Sequence, residues 1–319
     1  MDAVVLAGGY ATRLWPITRH RPKMFLPVGE TTVIDRVLGA LESDARVEDV
    51  YVSTNERFVE AFTEHLAATP YEKPRLSVEE TAAEDEKLGV VGALAQLVDR
   101  EGTGGEGLLV VAGDNLLGFD LSEFLDFFEA GETAALAAHD VGSRERAKQF
   151  GLVALEDDRV VDFQEKPDEP ASTLVSIACY AFPAEEVRFR EYLAGDNNPD
   201  EPGWFLQWLQ ARSTVRAFTF ADPWFDIGTP ENYLDAVAWA LDGGTHVADT
   251  ATVDNVALGA NVHVMAGATV RNATLERTVV FPDATVEDAT LRESLVDHDA
   301  LVRGLDSTGA LIGAHSRLP

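Results

Sequence analysis

Four charged side chains stand where charge could do chemistry: Arg13 and Lys23 in an early loop, and Asp114 and Asp226 far downstream. Arg13 and Lys23 follow a Gly8-Gly9 pair, and Pro16 and Pro22 stiffen the loop between them. Neither glycine has a Cβ, so the backbone can turn sharply there and lie close to a ligand. Their N–H groups can point at phosphate oxygens, as oriented amides do in anion-binding nests. The stretch Leu6 to Lys23 therefore reads as a phosphate cradle. Asp114 lies in Gly113-Asp114-Asn115 and Asp226 in Trp224-Phe225-Asp226-Ile227-Gly228-Thr229. Mg²⁺ takes one or two carboxylates with phosphate oxygens and water, and these two aspartates are the candidates. Each feature alone has a plainer reading, because strand-Gly-Gly is ordinary turn chemistry and Asp-Asn is a common Asx turn. The dinucleotide fingerprint and the P-loop are both absent.

The elements that must carry these residues alternate. Val4, Val5 and Leu6 form an apolar run ahead of the cradle. The patterning predicts strands at Asp49–Ser53, Arg75–Val78 and Leu108–Ala112, with amphipathic helices at Glu56–Leu66 and Gly89–Asp99 between them. Such alternation indicates a parallel sheet covered on both faces, with ligands at the carboxyl ends of its strands. Gly8-Gly9 and Gly113-Asp114 both begin at such ends. Further on, a hairpin turns at Asp157-Asp158 and ends at Glu165-Lys166, a strand covers Leu174–Phe182, and a helix is expected over Ala184–Leu193. Pro230 opens a helix that closes at Asp242-Gly243-Gly244, which marks a domain boundary. Beyond it, single aliphatic residues recur five or six apart from Val253 to Val302. That period suggests a parallel β-helix of roughly three coils.

The chain has 55 acidic and 25 basic residues among 319, a net charge of −30 that argues against nucleic acid or an anionic membrane as partner. Only five of the basic residues are lysine, a composition that suits concentrated salt and a halophilic source. Around the cradle the balance reverses, with Arg13, Arg19, Arg21 and Lys23 against Asp2. Cys179 is the only cysteine and lies in an apolar run, where a buried, inert thiol is expected. No run of 18 apolar residues and no leader pattern are present, which reads as a cytoplasmic protein.

Gly8-Gly9, Thr12-Arg13, Pro16 and Pro22-Lys23 followed by Leu26-Pro27-Val28 together resemble the signature of the sugar-1-phosphate nucleotidylyltransferases, the family that makes NDP-sugars. Gly113-Asp114-Asn115 looks like the metal motif of the thymidylyl- and uridylyl-transferring members, and the Trp224–Thr229 stretch like the second metal-aspartate motif. The resemblance implies a Rossmann-like α/β fold, with a mixed, mainly parallel sheet, as a catalytic domain over 1–242. A left-handed β-helix of hexapeptide-repeat type would follow over 243–319. It implies Mg²⁺-dependent transfer of a nucleotidyl group from an NTP, dTTP or UTP, to a sugar 1-phosphate, with pyrophosphate released. Residue by residue, it implies that Arg13 holds the β- and γ-phosphates, that Lys23 meets the α-phosphate, and that Asp114 and Asp226 hold Mg²⁺. Leu6, Ala7, Gly8, Gly9, Thr12 and Gly89 would line the nucleotide. Glu165 would accept from sugar hydroxyls and Lys166 would bind the sugar phosphate, with Gly151, Tyr180 and Trp224 around them.

The chain departs from the family pattern in places. Ala11 and Ala178 replace glycines that many members carry, and the base-recognition loop Glu79–Leu88 is long and acidic. Two other functions remain open on the residues: a catalytically silent regulatory paralogue, or an added acyltransferase activity using His263, His298 or His315 of the β-helix. Retention of Arg13, Lys23 and both aspartates favours the enzyme, and the β-helix suits homo-oligomer formation better than acyl transfer.

Overall fold

The computed structural model describes residues 1–9, 11–79 and 88–319. Contacts divide the chain into two compact units, residues 1–9 with 35–224 and residues 10–34 with 225–319. Among the described residues no helix is long and apolar enough to cross a membrane.

The first unit is built on a nine-stranded mixed sheet. Its strands are β1 (Asp2–Leu6), β2 (Val50–Asn55), β3 (Pro74–Glu79), β4 (Leu108–Ala112) and β5 (Ala134–Asp140). They continue with β6 (Gly151–Glu156), β7 (Arg159–Glu165), β8 (Leu174–Phe182) and β9 (Val215–Phe220). The order across the sheet is β3-β2-β1-β4-β8-β5-β9-β7-β6. β3, β2, β1 and β4 run parallel, as do β5 and β9, while β8 joins β4 and β5 antiparallel. Every residue of β4 is buried, as expected of a strand covered on both faces. Cys179 pairs with Val111 inside this sheet, and burial pushes its thiol above the usual range.

Three elements of this unit depart from the sequence reading. The helix expected over Ala184–Leu193 is a 3-10 turn, Ala184–Glu186, and a short helix, Phe189–Leu193. Val187 between them leaves helical geometry (ψ 64°), and its side chain packs over Gly104, where a Cβ would lie 3.1 Å from Val187 Cγ1. The structure also adds helix Leu121–Gly131, capped by Asp120, and strand β5, which patterning left unassigned. The alanines of β5 favour helix by propensity, but between two partner strands their small side chains are buried along the sheet.

In the second unit the C-terminal strands stack into three parallel sheets, with five strands on two faces and four on the third. That is more than the three coils suggested by spacing. Strands of the first face begin at residues 245, 262, 279, 295 and 311, so one coil takes 16 or 17 residues over three faces. The five-or-six spacing is the distance between faces. Val253, Val270, Val286 and Val302 lie in register on one face, and Val264, Val280, Val296 and Ile312 on another. Apart from Val253, which is exposed on the first coil, their stacking makes the continuous core of a parallel β-helix.

The early loop is braced within this unit. Arg21 pairs with Asp297, whose side chain is 3% exposed, and its guanidinium lies 4.7 Å from the Phe281 ring centre. Arg21 Nε also donates to the Ile17 carbonyl at 3.1 Å, which holds the loop's own turn. Tyr233, in the helix Pro230–Ala240, is buried and donates to the Pro27 carbonyl at 2.7 Å.

Ala11, at the head of that loop, takes a left-handed conformation (φ 50°, ψ 42°), and Thr18 Oγ1 donates to its carbonyl at 2.8 Å. A Cβ in this region costs about 1–2 kcal/mol, which explains why glycine suits the position. Ala11→Gly is expected to raise the unfolding free energy by about 0.5–1 kcal/mol, the relief being partly offset by a freer unfolded chain. Denaturant melts of the two proteins check this, and a fall in stability would contradict the left-handed backbone at residue 11.

Candidate active site

In the first unit, residues 6–9 and Asp114 leave the sheet side by side. β1 and β4 are parallel with Leu6 opposite Ala112, and the Gly113 N–H donates to the Leu6 carbonyl at 2.9 Å. Ala7 N–H donates to the Ser53 carbonyl at 2.7 Å, so Leu6, Ala7 and Gly8 continue the strand direction. Two side chains from the end of β2 fix the next carbonyls. Thr54 Oγ1 donates to Ala7 at 3.2 Å and Asn55 Nδ2 to Gly8 at 2.8 Å. A Cβ on Gly8 would lie 2.8 Å from Glu79 Oε1, which accepts from Ser53 Oγ at 3.0 Å. Among the described residues a Cβ on Gly9 would meet nothing within 4 Å, which leaves that face of the loop open to them. The two glycines thus answer different needs: close packing at Gly8 and open approach at Gly9.

Asp114 accepts from Asn115 Nδ2 at 3.0 Å, and Asn115 Oδ1 in turn accepts from Trp224 Nε1 at 2.7 Å. Asn115 is buried, so its amide is held between these two residues. Trp224 is buried as well, with its ring 5.1 Å from Phe150 and 6.0 Å from His139. Its N–H is engaged and its ring is enclosed, and it is linked to Asp114 through Asn115. Gly118 N–H donates to the Pro223 carbonyl at 2.8 Å, which ties the same two segments together.

A second group of the expected residues gathers where β6 and β7 meet. Gly151 and Glu165 are register partners, and a Cβ on Gly151 would lie 2.9 Å from Glu165 Oε2. Gly203, in the helix Pro202–Gln210, leaves room for the same carboxylate. Burial pushes the Glu165 carboxyl up to about 7, with Lys166 opposing and Glu201 adding to the rise. Tyr180 is buried beside it and its phenol is pushed above its usual range, first by burial and then by the Glu165 charge. Lys166 sits in left-handed backbone (φ 44°), its N–H donates to the Phe150 carbonyl at 3.2 Å, and its ammonium pairs with Glu201. Glu201 and Gly203 were not foreseen. No local pattern marks them, because their relevance arises only where the helix Pro202–Gln210 packs on β7.

Gly89 has φ 73°, and a Cβ there would strike the Pro199 carbonyl. Val91 N–H donates to that same carbonyl at 2.9 Å, so backbone packing alone demands this glycine. Most of the acidic base-recognition loop, residues 80–87, lies outside the described residues.

In the second unit, Arg13, Lys23 and Asp226 come together. Lys23 Nζ lies 3.9 Å from Asp226 Oδ1. A Cβ on Gly228 would lie 3.4 Å from Arg13 Nη2 and 3.5 Å from both Asp226 carboxylate oxygens, so this glycine keeps a small cradle clear. Arg13 and Thr12 belong to the 3-10 turn Thr12–Leu14, and Lys23 opens the 3-10 turn Lys23–Phe25 after Pro22. The Asp226 carbonyl accepts from Gly228 N–H at 2.8 Å and from Asn232 Nδ2 at 2.9 Å, which fixes the aspartate at the entry of the helix Pro230–Ala240. Two cations and a carboxylate around a glycine are the kind of groups that phosphate oxygens and a hard cation take as partners.

The profile of the nucleotidyl transferase family matches residues 2–243. A protein of Sulfolobus acidocaldarius, provisionally assigned as a mannose-1-phosphate guanyltransferase, is 28% identical over 288 residues, covering 86% of this chain and 76% of that protein. The low-salt glycan biosynthesis nucleotidyltransferase Agl11 of Haloferax volcanii is 28% identical over 272 residues, covering 80% and 71%. The mannose-1-phosphate guanylyltransferase of Mycobacterium tuberculosis is 28% identical over 250 residues, and this chain matches 65% of its length. Among solved structures, a chain from Bacillus anthracis provisionally assigned as a glucose-1-phosphate thymidylyltransferase shares the fold, with a TM-score of 0.66 at 22% identity over 76% of this chain and 96% of that one. With three quarters of its length matched by the family profile, the chain belongs to the nucleotidyl transferase family.

Proposed function

We propose that this chain transfers a nucleotidyl group from a nucleoside triphosphate to a sugar 1-phosphate, forming an NDP-sugar and releasing pyrophosphate. The observation that carries the reading is the gathering of Arg13 and Lys23 on Asp226 over Gly228, within a family whose named members perform this chemistry. The Gly113-Asp114-Asn115 motif is the basis for dTTP or UTP as donor, while relatives named for guanylyl and adenylyl transfer define the alternatives. Residues 1–242 are proposed as the catalytic domain and 243–319 as a β-helix that supports it and assembles a homo-oligomer, working in the cytoplasm. Retention of all four charged signature residues speaks against a silent paralogue.

Both reacting partners are anions, so the protein must neutralise charge and align an in-line attack. Arg13 binds the β- and γ-phosphates and steadies the departing pyrophosphate. Lys23 faces the α-phosphate, where charge builds. Leu6, Ala7, Gly8, Gly9 and Thr12 lie along the nucleotide, with Gly89 at the base. Glu165 accepts from the sugar hydroxyls, Lys166 meets the sugar phosphate, and Gly151 and Tyr180 shape the pocket. Asp114 and Asp226 present hard oxygen donors suited to Mg²⁺, and the cradle kept clear by Gly228 fits such an ion beside Asp226. When bound, Mg²⁺ would offset charge on the α-phosphate. Lys166 is paired with Glu201, so binding of a sugar phosphate exchanges one anionic partner for another.

Three outcomes follow. In a pyrophosphate-release screen of NTPs and sugar 1-phosphates, run in concentrated potassium chloride with Mg²⁺, one pairing should dominate. Asp114→Ala and Asp226→Ala should then abolish exchange with little change in melting temperature, and near wild-type exchange in either would remove that aspartate from the site. Glu165 accepts from hydroxyls on both oxygens, and more strongly, only when ionised, so kcat/KM for the sugar phosphate should rise as pH passes about 7. Glu165→Gln should lack that inflection. A raised carboxyl also contributes stability that is lost as pH climbs from 4.5 to about 7, so the glutamine variant should lose less stability over that interval. Finally, Arg21→Ala should release the loop that carries Arg13 and Lys23. Misplacement on the order of 1 Å costs about 10²-fold in turnover, and adding Asp297→Ala should cost little more, because the pair acts as a unit. A single-variant rate within twofold of wild type would show that the brace is not needed for catalysis.

A further inference from the structure

Outside the residues assigned to nucleotide and sugar phosphate, three potential metal ligands meet on the β-helix. His298 and His315 occupy equivalent places one coil apart, with the His315 N–H donating to the His298 carbonyl at 3.2 Å. Their rings are 4.9 Å apart and nearly perpendicular. Asp299 Oδ2 lies between them, 3.0 Å from His298 Nδ1 and 3.8 Å from His315 Nδ1. One ligand atom from each residue lies within 4.8 Å of the other two. A hydrogen bond between His298 and Asp299 accounts for one of these approaches. It does not account for the second imidazole nitrogen, aimed at the same oxygen from beyond hydrogen-bond reach.

We propose that His298, Asp299 and His315 bind a divalent d-block cation, of the zinc, cobalt or nickel class, on the last two coils of the β-helix. Metal–ligand bonds of about 2.0–2.2 Å place tetrahedral donors about 3.3 Å apart, and the distances of 3.0 and 3.8 Å bracket that value. Two imidazoles and one carboxylate select such ions over Mg²⁺, which prefers oxygen and retained water. The site is open, since His298 is half-buried while Asp299 and His315 are exposed, so water completes the coordination. The nearest opposing charge is Arg317, which is turned to the Asp299 carbonyl, donating to it at 2.5 Å. A protein with a net charge of −30 also draws cations to its surface. An ion here would tie the coil of His315 to the coil of His298. That earlier coil also carries Asp297, the partner of Arg21.

The test is isothermal titration of chelator-treated, full-length protein with ZnCl₂ and with CoCl₂, in potassium chloride containing excess Mg²⁺. The expected result is one ion per chain in the micromolar range, a tetrahedral cobalt absorption band, and a rise in melting temperature with metal. Even outer partners of a ligand are worth about 10- to 100-fold in affinity, so His298→Gln and His315→Gln should each weaken binding by at least about tenfold. Circular dichroism must show both variants folded. Asp114→Ala serves as a control that should leave this binding unchanged. Substoichiometric uptake, displacement by Mg²⁺, or equal affinity in the folded double-glutamine variant would each overturn the site.

Discussion

One ion pair holds the second unit in its working form: Arg21 in the early loop and Asp297 in the β-helix, 276 residues further along the chain. Asp297 is buried, and its side chain is satisfied by the Arg21 guanidinium and by the His298 N–H, which donates to Oδ1 at 2.8 Å. Such a pair contributes less to net stability than to uniqueness, because any other placement of the loop would strand a buried carboxylate. The Phe281 ring beneath Arg21 and the Tyr233 hydroxyl on Pro27 limit the remaining freedom of the same loop. Arg13 and Lys23 belong to this loop, and their approach to Asp226 follows from how it is braced.

The first unit solves its own placement problem with parallel strands. Because β1 and β4 are adjacent, in register and parallel, their carboxyl ends deliver Gly8-Gly9 and Asp114 to one edge of the sheet. Asn115 then couples Asp114 to Trp224, and the aromatic packing around Trp224 makes that coupling rigid. The acidity of the chain does not oppose anionic substrates. In molar salt the screening length is about 3 Å, so only cations in direct contact matter, and Arg13, Lys23 and Lys166 are the cations proposed for that contact.

Local rules are broken where chemistry is proposed. Lys166 holds a left-handed backbone without being glycine, and Glu165 is a carboxyl pushed up to about 7 by burial between two glycines. Ala11 holds a similar backbone at the entry to the cationic loop. Each is locally unfavourable and is sustained by surrounding contacts, as is common where function takes precedence over stability.

By itself the sequence determined the kinds of residue available and the periods of its elements. The apolar runs, the Gly-Gly turn, the hairpin at Asp157 and the repeat of aliphatic residues after Thr245 are local patterns, so fold class and family were legible from them. Tertiary structure decided what no local pattern encodes. It separated the glycines into those pressed by close packing (Gly8, Gly89, Gly203), one in open space among the described residues (Gly9), and one lying in ordinary contact distance of Arg13 and Asp226 (Gly228). It buried Trp224 against Asn115, and it brought Glu201 to Lys166. It also joined the early loop to the β-helix. Side-chain periodicity reports which face of an element is buried. Which distant element covers that face depends on contacts hundreds of residues apart, and those exist only once the chain has folded.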